Sequence, residues 1–133
     1  MIKTVGSTIN RINPLNKGWQ LGASYVLTGE DAAYAGVVPN KPFSLKDGNW
    51  GALELAGRFS TVDIDDEVFA SGFTTLSANP TKADAWTLGL NWYLSRNTKL
   101  VLNDEYTTYK GGAAGNNDRR PENLVISRFQ LSF

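Results

Sequence analysis

Several residue types that carry catalytic or metal chemistry are missing from this chain of 133 residues. It has no cysteine and no histidine, which excludes disulfides, thiolate metal sites, Ser-His-Asp catalysis and histidine-ligated zinc. Because no run of about 18 apolar residues occurs, the sequence predicts no transmembrane helix. Lys plus Arg and Asp plus Glu are equal at 13 each, which gives no support to a nucleic-acid partner. We expect no catalytic residue, no metal site and no cofactor.

Alternation of apolar and polar residues is abundant, and it is clearest in the last twelve residues, Glu122 to Phe133. The apolar parity holds Val125, Phe129, Leu131 and Phe133, and the other parity holds Arg128, Gln130 and Ser132. A strand of a membrane β-barrel shows this pattern because it faces lipid on one side and a wet lumen on the other. The half-buried strand of a soluble sandwich gives the same alternation and is the alternative.

The same alternation recurs in the segments 19–28, 51–61, 85–94 and 99–109, although Asp104 interrupts the apolar parity of the last one. Each segment has roughly ten residues, the length that a tilted strand needs to cross a membrane, whereas soluble strands usually have about five or six. Residues 2–12 fit a sixth strand or the remnant of one. The sequence therefore predicts an all-β fold, an antiparallel transmembrane β-barrel segment of about five to six strands.

Aromatic residues stand at both ends of two of the apolar faces. Trp19 and Tyr25 are six residues apart on one face, as are Trp86 and Trp92. At about 3.4 Å per residue this is roughly 20 Å, somewhat less than the apolar band of about 25 Å. We expect the following aromatics at the membrane interfaces: Trp19, Tyr25, Trp86, Trp92, Phe129 and Phe133. The alternative is that they form the core of a soluble β-protein.

Strand direction predicts where the connections lie. If Phe133 ends at the periplasm, residues 95–98 form a short periplasmic turn, and residues 62–84 and 110–121 form external loops. Residues 29–50 are then also periplasmic, and a connection of this length departs from the rule that periplasmic turns are short.

A family resemblance rests on motifs that occur in order along the chain. They are Leu27–Glu30 (LTGE), Pro42-Phe43, Asn49–Ser60 (NWGALELAGRFS), Trp86–Lys99 and the terminal Phe133. Over residues 18–133 the chain resembles the carboxy-terminal part of the phosphate-selective porins O and P. The resemblance implies that the long connection at residues 29–50 is tolerated in this family.

The resemblance implies a parent barrel of about sixteen strands, assembled as a homotrimer in the bacterial outer membrane. Its function would be passive diffusion of anions such as phosphate or related oxyanions. Because about eight strands is the smallest closed barrel of a single chain, we expect this chain to be the carboxy-terminal third of a porin. Residues 1–17 would be a partial strand or a join to a missing amino-terminal region, and residues 18–133 the carboxy-terminal barrel segment. The signal peptide, absent from this chain, would belong to the missing region.

Basic residues on the polar parity are the candidates for anion contact, because fixed positive charge lowers the cost of anion entry into a pore. The lumen-facing candidates are Arg58, Lys99 and Arg128. Glu54 and Glu105 share the polar face, so mutual neutralisation of these wall charges is the alternative. The candidates in the external loop are Lys110, Arg119 and Arg120, for which simple solvation is the alternative.

The expected partners are outer-membrane lipid and lipopolysaccharide, phosphate or other small anions, and the barrel-assembly machinery, which would engage the strand that ends at Phe133. We expect no nucleic acid. The acidic residues from Asp63 to Glu67 lack the spacing of a calcium-binding EF-hand and predict a solvated loop. An outer-membrane enzyme is disfavoured because such enzymes generally need histidine as base. A soluble β-barrel or sandwich that binds an apolar ligand remains the alternative function.

Overall fold

The computed structural model describes residues 2–5, 8–11, 15–33, 35–70, 72, 74–75 and 77–133. Two short strands near the start, β1 (Ile2–Val5) and β2 (Thr8–Arg11), pair with each other in antiparallel register. The sequence predicts a sixth strand or the remnant of one over residues 2–12, and the described residues of that segment form these two short strands.

The remaining strands form one antiparallel sheet. They are β3 (Lys17–Val26), β4 (Ala52–Asp63), β5 (Pro80–Ser95), β6 (Thr98–Ala113), β7 (Asn117–Asp118) and β8 (Glu122–Leu131). The order is β3-β4-β5-β6-β7, and β8 also pairs with β6. This confirms the all-β, antiparallel fold class.

Two of these strands are longer than the sequence predicts, since β5 and β6 each have 16 residues. The connection after β4 is correspondingly shorter than residues 62–84 and contains a short helix, α1 (Asp66–Ala70). Asp65 precedes this helix, and its carboxylate accepts the backbone N–H of Glu67 at 2.9 Å, as helix N-caps do. A helix of five residues is too short to produce a helical periodicity in the sequence.

Residues 27–51 form a folded connection between β3 and β4, hereafter the connector. Its Val37 is buried and packs in a small cluster with Val26, Ala52 and Tyr93. The N–H of Phe43 donates to the carbonyl of Leu94 at 2.7 Å, so the connector is hydrogen-bonded to the end of β5. These contacts explain why a connection of this length is ordered.

The contacts divide the chain into two compact units. The first unit comprises Met1–Gln20, Phe59–Ala85 and Tyr106–Glu122, and it contains α1. The second unit comprises Leu21–Arg58, Trp86–Glu105 and Asn123–Phe133, and it contains the connector.

Few side chains of the described residues are buried, and no large one is fully buried. The apolar residues of the strands are instead exposed, as shown by Leu21 at 70% and Leu88 at 63%. A soluble sheet normally covers its apolar face, so this exposure favours an apolar environment for the sheet. Among the described residues, no helix is long and apolar enough to cross a membrane.

Candidate functional site

Three side chains on the polar face of β4, β5 and β6 bind one another in the second unit. Nη2 of Arg58 lies 3.3 Å from Oε2 of Glu105, and it also donates to Oγ1 of Thr87 at 3.4 Å. The Thr87 hydroxyl donates to the same Glu105 oxygen at 2.9 Å. Arg58 is therefore held by a carboxylate from a strand two positions away in the sheet.

Glu54, a second carboxylate of the polar face, accepts hydrogen bonds mainly from neutral donors. Its Oε2 accepts the amide of Asn91 at 3.1 Å and the hydroxyl of Tyr93 at 2.9 Å, and Ser24 also hydrogen-bonds to the carboxylate. Lys99 attracts Glu54 electrostatically, but its Nζ lies 5.4 Å above the centre of the Tyr93 ring and forms no salt bridge among the described residues.

The pairing of these charges differs from the one that the sequence suggests. Glu54 shares a strand with Arg58, and Lys99 shares one with Glu105, yet the ion pair joins Arg58 to Glu105. Along a strand, four residues, as from Glu54 to Arg58, span about 13 Å, and six residues, as from Lys99 to Glu105, span about 20 Å. Side chains on adjacent strands are about 5 Å apart. Cross-strand register, which the sequence alone does not reveal, therefore decides which charges meet.

Arg128 is the least constrained of the three lumen-facing candidates. It lies in β8, whose residues are all exposed. Within the described part of the chain, its guanidinium forms neither a hydrogen bond nor an ion pair. Its guanidinium is thus not occupied by another side chain of the described residues.

A recess of about 100 Å³ in the second unit collects further positive charge. Arg96 and Lys99 line it, together with the polar side chains of Gln130 and Ser132 and with connector residues around Val37. No carboxylate residue is among the described residues that line it. Arg96 is not among the candidates predicted from the sequence, because it lies in the β5–β6 turn, outside the alternating segments.

The three loop candidates have different surroundings. Lys110 lies near the end of β6 and lines a second recess, in the first unit. Arg119 forms an ion pair with Glu122 at 2.5 Å, and its guanidinium lies 5.1 Å from the centre of the Tyr109 ring. Arg120 is exposed and has no polar partner among the described residues.

Two of the aromatic residues that the sequence places on the apolar face contact other rings, one residue in each unit. In the first unit the ring of Trp19 lies 5.3 Å from that of Phe59. In the second unit Trp92 lies 5.5 Å from Phe43 and 6.2 Å from Trp50. Phe43 and Trp50 are not among the interface aromatics predicted from the sequence, because they lie in the connector, where no alternation marks a face. The remaining expected aromatics are largely exposed: Tyr25, Trp86, Phe129 and Phe133.

Two carboxylates outside the strands have shifted pKa values. Slight burial alone would raise the pKa of Glu30, but hydrogen bonds from the Thr28 side chain and the backbone of Asn40 outweigh it and lower that pKa. The backbone N–H groups of Glu67 and Leu15 lower the pKa of Asp65. Both carboxylates therefore hold loop segments in place. In the described residues, no group of three or more acidic side chains is arranged to bind a metal ion.

Comparison with known proteins places the chain among porins. The family model described as phosphate-selective porin O and P matches residues 6–133. Porin O of Pseudomonas aeruginosa is 29% identical over 120 residues, which represent 88% of this chain and 27% of that protein. The chain thus spans about a quarter of the length of the curated relative that it matches.

Proposed function

This chain belongs to the phosphate-selective porin O and P family, and on that premise we propose that it forms part of an outer-membrane pore for phosphate and related oxyanions. The solutes would cross by passive diffusion. The polar face of the sheet would line the pore, and the exposed apolar face would lie against lipid. Porins are channels, so the chain acts by conduction and not by catalysis.

The observation that carries this proposal is that some cations of the polar face are offset by carboxylates and others are not. Glu105 is paired with Arg58, and Glu54 attracts Lys99, so each of these carboxylates offsets one cation of the face. Lys99 and Arg128 form no ion pair in the described residues, and Arg96 lies close to Lys99 at the same recess. The face therefore retains positive charge that an entering anion meets.

An anion would cross the pore through several weak contacts with the wall, and not through one strong binding site. An anion that enters loses part of its hydration and gains contacts with Arg and Lys, and each contact is weak enough to release it to the next. The planar guanidinium of Arg128 suits an oxyanion because it donates two parallel hydrogen bonds. The hydroxyl and amide groups around Lys99 supply further donors.

The pore wall needs more strands than the sheet provides. The edge strand β3 pairs only with β4 among the described strands, and unpaired backbone groups in lipid cost several kcal/mol each. The barrel would be completed by strands from outside this sheet. The predicted parent is a homotrimer in the outer membrane, in contact with lipid and lipopolysaccharide, and inserted by the barrel-assembly machinery through the strand that ends at Phe133.

Uptake into liposomes tests the proposal. Vesicles that contain the assembled pore are expected to take up labelled phosphate faster than a neutral solute of similar size, and protein-free vesicles provide the background. Equal uptake of both solutes would contradict anion selectivity. Uptake at the background rate would contradict a pore.

A further inference from the structure

A tight turn of the connector carries an exposed leucine. Ser44 and Asn49 pair as an antiparallel bridge, with N–H to carbonyl distances of 2.9 and 3.0 Å, and residues 45–48, hereafter the tip, join them. The Ser44 hydroxyl donates to the carboxylate of Asp47 at 2.7 Å and accepts the N–H of that residue at 3.3 Å. The turn is therefore held by its own hydrogen bonds, and it presents Leu45 with 82% of its surface exposed.

Aromatic contacts connect this turn to the apolar face of the sheet. Trp92 has the apolar parity of β5, and the rings of Phe43 and Trp50 lie 5.5 and 6.2 Å from its ring. The indole N–H of Trp92 donates to the carbonyl of Trp50 at 2.5 Å. Because Phe43 directly precedes Ser44 and Trp50 directly follows Asn49, the turn continues the apolar face near the end of β5.

Lipid fits this surface better than protein does. Further strands of a barrel would continue the sheet at its edges, so they would not cover its apolar face. A second chain fits poorly because lysine is depleted from protein interfaces, whereas Lys41, two residues before Phe43, and Lys46, in the tip, are both exposed. At a membrane interface the same combination is favourable, since tryptophan lies at the headgroup level and lysine extends outward from it.

We propose that the tip and Trp50, which is 65% exposed, anchor the connector in the phospholipid surface of the membrane. The inference rests on the proposed function, because it requires the apolar face to lie in lipid. In the predicted topology the connector is periplasmic, where the outer membrane has its phospholipid leaflet. Asp47 offsets one of the two lysines, so the attraction is mainly apolar and requires no anionic lipid.

Dyes attached at single cysteines test the anchor, since the chain has no cysteine of its own. Leu45→Cys carries a nitrobenzoxadiazole dye in the assembled protein in phosphatidylcholine vesicles, and lipids with a nitroxide on the acyl chain quench a dye that contacts them. Leu88→Cys, on the exposed apolar face of β5, reports the membrane placement itself. Val38→Cys is the matched control, because Val38 is an exposed apolar residue of the same connector but lines the recess of Arg96 and Lys99.

We expect the dye at Leu45 to be quenched as strongly as the dye at Leu88, and the dye at Val38 to stay near the background. Stability gives a second readout. Leu45→Ser should raise the equilibrium constant of urea unfolding in these vesicles about tenfold, because its side chain no longer transfers from water to lipid. Val38→Ser should change that constant about twofold at most. Vesicles with phosphatidylglycerol should give the same ratio between the two variants.

The anchor is overturned if quenching at Leu45 is as weak as at Val38, or if the two serine variants unfold equally. A dye at Leu45 that emits as in an apolar environment but is not quenched by nitroxide lipid would also overturn it, and would indicate coverage by a second copy of the chain. The failure of the pore proposal looks different, because the dye at Leu88 would then escape quenching as well.

Discussion

Arg58 and Arg128 carry the same charge on the polar face, but their surroundings differ. Arg58 shares Glu105 with Thr87, whereas Arg128 has no polar partner among the described residues. An ion pair reduces the field that a passing anion experiences, so equal residue types contribute unequally to selectivity. We infer that Arg128 contributes more than Arg58, and that Glu105 limits the contribution of Arg58.

Substitution of Glu105 tests this difference. Glu105→Gln removes a negative charge from the polar face and frees the guanidinium of Arg58, so the anion-to-cation permeability ratio should rise about fivefold, equivalent to roughly 1 kcal/mol. Asp104→Asn is the matched control, because the neighbouring side chain has the opposite parity and should leave the ratio unchanged. Arg128→Glu should lower the ratio. If the permeability ratio of all three variants equals that of the parent, these residues do not contribute to anion selectivity.

The fold leaves no room for a side chain at Gly51. Its φ is +76°, and an added Cβ would lie 2.2 Å from the carbonyl oxygen of Tyr93. Gly51→Ala should therefore lower the free energy of unfolding by about 3 kcal/mol, from backbone strain and overpacking together. Gly48→Ala is the control, because Gly48 also has a positive φ, +69°, but an added Cβ has no neighbour within 4 Å. It should cost only about 1 kcal/mol.

Urea unfolding in micelles measures both variants. A cost for Gly51→Ala no larger than that for Gly48→Ala would show that the connector does not approach Tyr93 as described.

At the scale of elements, the strands could be predicted and the connections could not. The central parts of β3, β4 and β8 follow from the alternation of apolar and polar residues, although Ser127 interrupts the apolar parity of β8. β5 begins earlier than the sequence predicts. Thr81 and Lys82, near its start, are both polar and therefore show no alternation, yet the carbonyl of Thr81 accepts the N–H of Ile64 at 2.7 Å. Backbone pairing of this kind leaves no trace in side-chain polarity.

The candidate site shows the same limit. The sequence identifies Arg58, Lys99 and Arg128 through their parity, but it does not show that Glu105 pairs with Arg58, because the pairing depends on register across β4, β5 and β6. It also misses the recess that Arg96 and Lys99 line together with Gln130, which is far from both of them in the chain. Contacts between segments that are distant in sequence are what the structure adds.

The connector should respond to acid through Glu30. Hydrogen bonds lower the pKa of this carboxyl below the ordinary value of 4.5, so ionised Glu30 stabilises the connector above that pH, and the stabilisation disappears as the pH falls through the lowered value. Exchange of the Asn40 amide, which donates to Glu30 at 3.3 Å, should accelerate relative to its intrinsic rate between pH 7 and about pH 3.

Glu30→Gln should remove this dependence, because an amide side chain does not titrate. Asp31→Asn, at the exposed neighbouring position, should preserve it. A relative exchange rate of Asn40 that does not change with pH in the parent chain would contradict the role given to Glu30.

At the scale of the whole molecule, the chain has little buried core and a large exposed apolar surface. The small cluster of Val26, Val37, Ala52 and Tyr93 is the main packed group of buried residues in the described chain. The apolar side of the sheet is stabilised by lipid if the sheet forms part of a barrel wall, and it is an aggregation hazard in water. Membership in a porin family agrees with the first of these.

The carboxy-terminal residue should matter for assembly and not for the folded state. Phe133 is fully exposed, at 109%, so its deletion should leave the Tm in micelles within about 1 °C of the parent. In cells, the same deletion should reduce the amount of protein in the outer membrane, because the barrel-assembly machinery is expected to engage this end. Unchanged amounts in the outer membrane would contradict that partner.

The central claim is that the polar face of this sheet lines an anion-favouring pore. The most direct test is the reversal potential of the assembled protein in a planar bilayer under a KCl gradient. The account predicts discrete conductance steps and a reversal potential of the sign that chloride permeation produces. Steps with a potassium-selective or zero reversal potential would contradict it.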